Sequence, residues 1–407
     1  MKTTEYKDSE VGRIPADWKV AQLKDLTDII TGATPSTSIN EYWNGDIPWM
    51  SSGELNMKLV RSVYGRITQK GYDSCGTHMI PPQCVLIGLA GQGKTRGTAA
   101  INYISLCTNQ SIASILPSSY FDSFFLFYWL DNQYYNLRML SAGDGGRGGL
   151  NKQLLLNLWV PLPPLKEQNA IANSLSSIDS LISSLDELIE KKRMIKDGLM
   201  QELLTGKKRL KGFSGKWETV KLNEIAEMSS GGTPSSKEVS FYGGDIPFLS
   251  ISDMTSSGKY IFRTEKTITK LGLENSSARV FPPGTLMYAM YASLGKCSIT
   301  NIEVAISQAI LGFKLSPRVD KMFLYYHFCY IEESVKKIGQ TGTQSNLSKQ
   351  IVENFALELP EIDEQKAIGR VLSDIDLEIS TIESMRDKYL LIKQGMMQQL
   401  LTGKTRL

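Results

Sequence analysis

The chain has 407 residues, 42% of them hydrophobic, which is enough for about two to four domains with substantial cores. Its 45 Lys and Arg residues nearly balance 42 Asp and Glu residues, so the net charge of +3 neither requires nor excludes a nucleic-acid partner. Five scattered cysteines with no CxxC pair argue against a disulfide framework and a zinc site, and no apolar run could span a membrane, so we expect a cytoplasmic protein without membrane association.

The region from about residue 18 to 160 is predicted to be a mixed α/β module. Short apolar runs rich in β-branched and aromatic residues alternate with clusters of Gly, Pro, Ser and Asn, a pattern typical of strands. Residues 121–140 are the exception, because their length and periodicity favour a helix. The aromatic residues of this helix are more typical of a buried core than of a platform for stacking bases.

A basic loop, GQGKTRGT, occupies residues 91–98 of this module. Its Lys94 and Arg96 are candidates for binding a phosphate or a base edge. The segment from Gly88 to Thr95 also fits the nucleotide-binding pattern GxxxxGK[ST], so an ATPase is an alternative. A P-loop opens a helix, however, whereas the sequence AAINYIS that follows favours a strand, and we therefore prefer the first interpretation.

A second loop, SAGDGGRGGLNKQ at residues 141–153, is polar and rich in glycine. Arg147 is the candidate base-reading residue, because arginine suits guanine in the major groove. Asn151 and Lys152 are further candidate DNA contacts, the lysine being suited to phosphate. By residue type alone, a flexible surface loop is the favoured interpretation.

A long amphipathic helix is predicted within residues 161–210. Its apolar residues follow the alternating spacing of four and three that places side chains on one stripe of a helix. The stripe consists of Ile171, Leu175, Ile178, Ile182 and Leu185. Gly206, and Gly403 near the end of the chain, suit the left-handed backbone of a helix C-cap.

The second half of the chain repeats the first. Blocks near the start of each half match at a displacement of 199 residues, and residues 167–210 match 364–407 at a constant displacement of 197. The matching blocks are Trp18–Leu23 with Trp217–Leu222, TGATPS with SGGTPS, GDIP with GDIP, and LLTGKKRL with LLTGKTRL. The chain is therefore an internal duplication, which must be recognised before any fold is assigned.

The second copy supplies its own candidate residues. Its DNA-contact candidates are Lys296 in the loop at 293–298 and, in the polar loop at 339–350, Gln344, Ser345, Asn346 and Lys349. Glutamine and asparagine suit adenine, whereas lysine suits phosphate. The second helix lies within residues 358–407 and carries the stripe Ile368, Leu372, Ile375, Ile379 and Ile382.

The two stripes predict how the halves are organised. Each helix could lie on its own globular module, but stripes in matching register favour an antiparallel coiled coil. The expected fold is α+β, with two similar mixed α/β domains separated by this pair of long helices in a pseudo-two-fold internal repeat. We find no sequence motif for adenine methylation, dinucleotide binding, metalloprotease or nuclease chemistry, and we expect no catalytic residue, metal or cofactor in this chain.

These features together resemble the specificity (S) subunit of Type I restriction-modification systems. The likeness rests on the opening SEVGRIPADW at residues 9–18, the doubled TPS and GDIP blocks, and the twin helices that end in LLTGK. It implies a first target recognition domain at 1–160, a spacer helix at 161–210, a second target recognition domain at 211–357 and a second spacer helix at 358–407. Each recognition domain would read one half of a bipartite site.

The resemblance also implies partners. These are double-stranded DNA, two methyltransferase (M) subunits that use S-adenosylmethionine, and restriction (R) subunits. Catalysis and cofactor would then belong to the partners. A protein scaffold built on the coiled coil remains the alternative from a different functional class.

Overall fold

A computed structural model describes residues 5–91, 93–140, 149–341 and 346–407. The chain forms two compact units, the first made of residues 1–185 with 385–407 and the second of residues 186–384. Both units are mixed α/β structures, so the predicted duplication of one α/β module is confirmed. Among the described residues no helix is long and apolar enough to cross a membrane.

The elements follow in chain order. Those up to the first long helix are β1 (Tyr6–Ser9), β2 (Gly12–Pro15), β3 (Lys19–Gln22), β4 (Ile29–Thr31), β5 (Trp43–Met50), β6 (Leu59–Val60), β7 (Gly65–Ile67), α1 (Gln69–Asp73), β8 (Val85–Gly88), β9 (Ala99–Asn102), β10 (Cys107–Thr108), β11 (Ile112–Ile115), α2 (Ser123–Asn132), α3 (Tyr134–Leu140), α4 (Lys152–Leu156), β12 (Trp159–Leu162) and α5 (Leu165–Leu203). The remainder are β13 (Glu218–Lys221), α6 (Leu222–Ile225), β14 (Ala226–Ser230), β15 (Tyr242–Leu249), α7 (Ile251–Ser257), β16 (Tyr260–Ile261), β17 (Lys266–Ile268), α8 (Lys270–Glu274), β18 (Arg279–Phe281), β19 (Leu286–Ala289), β20 (Cys297–Thr300), β21 (Val304–Ile306), β22 (Ile310–Leu315), α9 (Lys321–Thr341), α10 (Lys349–Glu353), β23 (Ala356–Leu359) and α11 (Ile362–Leu400).

A five-stranded sheet is the centre of each unit. Its strand order is β4-β11-β8-β9-β6 in the first unit and β14-β22-β19-β20-β16 in the second, so the topology is the same. The middle strands are buried on both faces, which explains why they read as continuous apolar runs. The aromatic helix α2 packs into the core of the first unit and α9 into that of the second, as the sequence predicted for a buried aromatic stripe.

The first aromatic helix is interrupted, contrary to the single helix expected over residues 121–140. Helix α2 ends at Asn132, and Gln133 leaves the helical region with φ −89° and ψ 10° before α3 begins. Asp131 and Asn132 are poor helix formers, which favours a break at this point. In the second copy the helix α9 continues without interruption.

The long helices α5 and α11 were both predicted, and the boundary between the two units falls inside each of them. Within the second unit the two helices are antiparallel, because Lys192 pairs with Glu378 at 2.5 Å and Lys196 pairs with Asp376 at 2.6 Å. The glycines that follow the helices, Gly206 and Gly403, have φ of +68° and +67°, as the C-cap prediction requires.

The predicted apolar stripes are largely buried, and part of them packs into the globular cores. Ile171, Leu175, Ile178, Ile182, Leu185, Ile368, Leu372 and Ile379 are buried, whereas Ile375 and Ile382 are half-buried. Ile171 and Leu175 belong to the core of the first unit, together with Leu400 from the end of α11. The ends of the helices are thus anchored in the globular cores, which combines the two arrangements that the sequence left open.

The repeated Glu-Gln and LLTGK motifs meet at these anchors. In the first unit Glu167 accepts hydrogen bonds from Trp18 Nε1 at 3.1 Å and from Arg406 Nε at 2.5 Å. In the second unit Glu364 accepts the same bonds from Trp217 at 3.1 Å and from Arg209 at 2.6 Å. Each carboxylate is buried but fully paired, which is the condition for burying a charge at tolerable cost.

The glutamine that follows each of these glutamates fixes the start of the helix. Gln168 accepts a hydrogen bond from Asp122 N at 2.8 Å and donates to Pro163 O at 2.8 Å. Gln365 makes the equivalent bonds to Asp320 N and Pro360 O. The motif therefore joins the long helix to the aromatic helix within the same unit.

Candidate nucleic-acid interface

The loops of each unit gather at one edge of its five-stranded sheet. In the first unit, Thr31 at the end of β4 pairs with Ala113, and Gly88 at the end of β8 pairs with Ile112 at the start of β11. Three segments therefore leave the sheet side by side: the TPS loop (31–36), the basic loop (89–98) and the turn before β11 (109–111). We call this set the first loop edge.

The second unit has the same arrangement. Ser230 at the end of β14 pairs with Leu311, and Ala289 at the end of β19 pairs with Ile310 at the start of β22. The second loop edge consists of the TPS loop (230–235), the loop at 290–296 and the turn at 307–309. The edge is therefore produced by the shared fold and not by the individual loop sequences.

The end of each polar, glycine-rich loop reaches the same place. A Cβ added to Gly149 would lie 3.9 Å from the carbonyl oxygen of Leu89, and Leu347 N donates to Met290 O at 2.9 Å. The described ends of these loops thus lie close to the residue that follows β8 or β19, although about 60 residues separate the two positions along the chain. Arg147, Gln344 and Ser345 lie outside the described residues, whereas Asn346 is described and exposed.

The basic loop of the first unit is held in place by hydrogen bonds from neighbouring side chains to its backbone carbonyl groups. Arg138 Nη1 donates to Gly93 O at 2.7 Å and to Arg96 O at 3.3 Å, and Tyr134 OH donates to Lys94 O at 3.1 Å. These contacts use the carbonyl groups of the loop and leave the Lys94 side chain exposed. Arg138 and Tyr134 were not among the residues predicted from sequence.

A cleft of about 510 Å³ opens beside this loop. It is lined by Asn56, Lys58, Gly93, Lys94, Thr98, Tyr134, Tyr135 and Arg138. The side chain of Tyr135 is largely exposed. Cationic and aromatic groups together are the combination that binds a phosphate backbone and stacked bases.

The second unit has a separate cleft of about 880 Å³, whose lining residues do not come from the loop at 290–296. It lies between α7 and the segment after β16, and Lys259, Tyr260, Phe262 and Arg263 are among its lining residues. Burial lowers the pKa of Lys259, whose ammonium group donates to Tyr326 OH at 2.7 Å. Phe262 is 66% exposed. Sequence reasoning missed this cleft because the segment carries no recognisable motif.

The predicted contacts at the end of the glycine-rich loops have structural roles as well. Asn151 caps α4 by accepting a hydrogen bond from Leu154 N at 2.9 Å, and Ser348 caps α10 in the same position of the repeat. Lys152 follows as an exposed residue, whereas Lys349 pairs with Glu353 at 3.3 Å. Helix capping therefore accounts for the Leu-x-Lys-Gln sequence that both copies share, at residues 150–153 and 347–350.

Lys296 lies in a tight turn of the second loop edge. Its backbone N donates to Ser293 O at 3.1 Å, and the preceding Gly295 has φ +81°. The side chain of Lys296 is half-buried. Both this loop and the basic loop of the first unit return directly into a strand, β20 or β9, that pairs antiparallel with the strand before the loop. This hairpin geometry lacks the helix N-terminus that a P-loop requires.

Comparison with known proteins adds to this geometry. The family model described as "Type I restriction modification DNA specificity domain" matches residues 15–192 and again 214–390. The chain is 26% identical to the Type I restriction enzyme MjaVIII specificity subunit of Methanocaldococcus jannaschii, in an alignment that covers 100% of this chain and 97% of that protein.

Two solved structures share the fold. The S subunit of a Type I restriction-modification system from M. genitalium has a TM-score of 0.61 at 16% identity, with 98% of each chain covered. A chain from a study of complex assembly and conformational transition of the type I R-M system has a TM-score of 0.62 at 17% identity, covering 96% of this chain and 99% of that one. Since the family model matches both halves in turn and most of the residues, the chain belongs to the Type I restriction-modification DNA specificity family.

Proposed function

We propose that this chain is the sequence-reading subunit of a Type I restriction-modification complex, in which each unit reads one half of a bipartite DNA target. The observation that carries the proposal is the duplicated loop edge. The frame of the edge is the same in both units, whereas the loops that it gathers differ in sequence. Two readers with one architecture and different side chains are what a split, asymmetric target requires.

The residues proposed to contact DNA divide by chemistry. Arg147, Gln344 and Asn346 are the candidates for base edges, because bidentate hydrogen bonds distinguish guanine and adenine. The candidates for the phosphate backbone, with its neighbouring sugars, are Lys94, Arg96, Asn151, Lys152, Lys296, Ser345 and Lys349. The tethered backbone of the basic loop and the cleft beside Lys94 support a phosphate-binding role for that loop.

We further propose that the long helices dock the methyltransferase subunits. Apolar side chains that the core does not use are exposed at positions related by the 197-residue repeat: Leu188 with Met385, Met194 with Leu391, and Ile195 with Ile392. Each unit contains one member of every pair. Two equivalent apolar patches support two methyltransferase subunits, one for each patch.

The same helices are proposed to set the spacing between the half-sites. They are long, continuous and antiparallel within the second unit, where Arg193 pairs with Glu383 in addition to the two pairs already described. A helix of fixed rise per residue is a suitable spacer. Methyl transfer and DNA cleavage are assigned to the methyltransferase and restriction partners, and this chain supplies specificity alone.

The test is methylation mapping with the chain and its cognate methyltransferase subunits. We expect methylated adenines within a split motif with a fixed gap, and a gel shift with DNA of that motif that weakens with salt. A continuous motif, or methylation that does not change when this chain is exchanged for a relative with different loops, would contradict the proposal.

A further inference from the structure

The threonine of the TPS motif donates a hydrogen bond to a glutamine in both copies of the repeat. In the first unit, Thr34 Oγ1 donates to Gln110 Oε1 at 2.6 Å, and in the second, Thr233 Oγ1 donates to Gln308 Oε1 at 2.8 Å. Gln110 lies in the turn before β11, and Gln308 lies in the turn before β22. The two residues of a pair are about 75 positions apart in sequence, so the match reflects the fold.

Both pairs are held at a fixed position on the loop edge. A Cβ on Gly32 would lie 1.8 Å from Thr108 O, and a Cβ on Gly231 would lie 1.9 Å from Ile306 O, so the TPS loop packs directly against the neighbouring backbone. The prolines of the motif, Pro35 and Pro234, are buried. The threonine hydroxyl therefore reaches the glutamine from a rigid support.

This hydrogen bond fixes the chemical face that each glutamine presents. With one lone pair of Oε1 bound to the hydroxyl, the Nε2 group keeps its two donor hydrogens, and among the described residues none accepts from it. Both glutamines are exposed. The site thus offers donors to an acceptor and suits an anionic oxygen.

We propose that Gln110 and Gln308 each bind a phosphodiester oxygen of DNA, as equivalent backbone clamps in the two units. The inference rests on the proposed function and extends it. Loops that read different bases should differ between the copies, whereas a contact kept with the same residue types and geometry in both copies fits a sequence-independent ligand. The backbone phosphate is the part of DNA that every half-site shares.

The test uses Gln110→Glu and Gln308→Glu in the complex with the methyltransferase subunits. A carboxylate still accepts the threonine hydrogen bond, so the melting temperature should not change, but it replaces the donors with negative charge. We expect each variant to bind both cognate and unrelated DNA about tenfold more weakly, since hydrogen bonds to charged groups are the stronger class. Gln83→Glu, at an exposed position before β8 and thus at the opposite end of that strand from the loop edge, is the control for added charge.

A neutral variant separates this clamp from the lysine contacts. Gln110→Met should weaken binding to all sequences without changing the dependence of affinity on salt, because no counterion is released by a neutral donor, whereas Lys94→Ala should reduce that dependence. Wild-type affinity in both glutamate variants would overturn the proposal. So would a loss confined to one target base, which would indicate base reading. If the wild-type complex binds no DNA, the proposed function itself fails.

Discussion

The guanidinium of Arg209 binds the buried carboxylate of Glu364 through two hydrogen bonds of 2.6 Å each, in a geometry that also includes the indole of Trp217. The first unit builds the same cluster from Arg406, Glu167 and Trp18. The arginine in each case follows the glycine that ends one long helix, and the glutamate lies in the first turn of the other. The cluster therefore locks the end of one helix to the beginning of its partner.

Glu364→Gln should destabilise the protein by about 2–3 kcal/mol, because the variant leaves a partly buried guanidinium without its counter-charge. Urea unfolding is the measurement. Glu218→Gln is the matched control, since Glu218 forms an exposed pair with Arg318 that should be worth less than about 1 kcal/mol. A loss at Glu364 no larger than that at Glu218 would contradict the role given to the cluster.

The double variant Arg209→Met, Glu364→Gln should be less destabilised than the sum of the two single variants, because residues in direct contact do not act additively. Additive losses would show that the two side chains stabilise the fold independently.

The sequence predicted the duplication and the long helices well, because both depend on local periodicity and on self-similarity. It could not predict which segments meet. The contact between Trp18 and the residues around Gly403 joins positions at opposite ends of the chain, and no spacing rule contains it. The pairing of Thr34 with Gln110 was missed for the same reason, although the repeated TPS block was a visible signal.

Residue type alone also left the role of Asn151 ambiguous. Asparagine is both a base-reading residue and one of the best helix caps, and only the backbone of α4 reveals the capping hydrogen bond. Helix propensity could have predicted the break after Asn132. The length and periodicity of the whole segment, however, favoured one continuous helix.

The glycine-rich loop of the first unit gives a prediction about specificity. Arg147→Ala should relax recognition at a single base of one half-site, at a cost of about 1–3 kcal/mol if the arginine makes a bidentate guanine contact. Lys152→Ala should instead weaken binding to all sequences alike. Binding measurements on the target and on single-base variants distinguish the two patterns, and identical effects from both substitutions would refute the assignment.

The helices give a prediction about spacing. A heptad inserted after Leu185 and another after Ser384 should preserve the apolar stripe while adding roughly 10 Å of helix. At 3.4 Å per base pair, the gap between the half-sites should grow by about three base pairs, with both half-sites unchanged. Methylation mapping measures the gap directly. A gap of unaltered length would show that the helices do not determine spacing.

His327 gives a prediction about pH. It is buried in α9 of the second unit, and burial lowers its pKa from 6.5 to about 4. The unfolded chain therefore binds a proton at a higher pH than the folded chain does, so the contribution of this residue to stability is complete above pH 6.5 and declines as the pH falls toward 4. The full effect is about 3 kcal/mol, since each pKa unit corresponds to about 1.4 kcal/mol.

His327→Phe should remove this part of the pH dependence, because phenylalanine cannot take up a proton, and the buried Nδ1 of His327 has no hydrogen bond to lose within the described part of the chain. The measurement is the difference in urea midpoint between the variant and the wild type at several pH values from 7 to 4, which cancels the titration of the carboxylates common to both. A midpoint difference that stays constant with pH would mean that His327 is protonated as readily in the folded protein as in the unfolded chain.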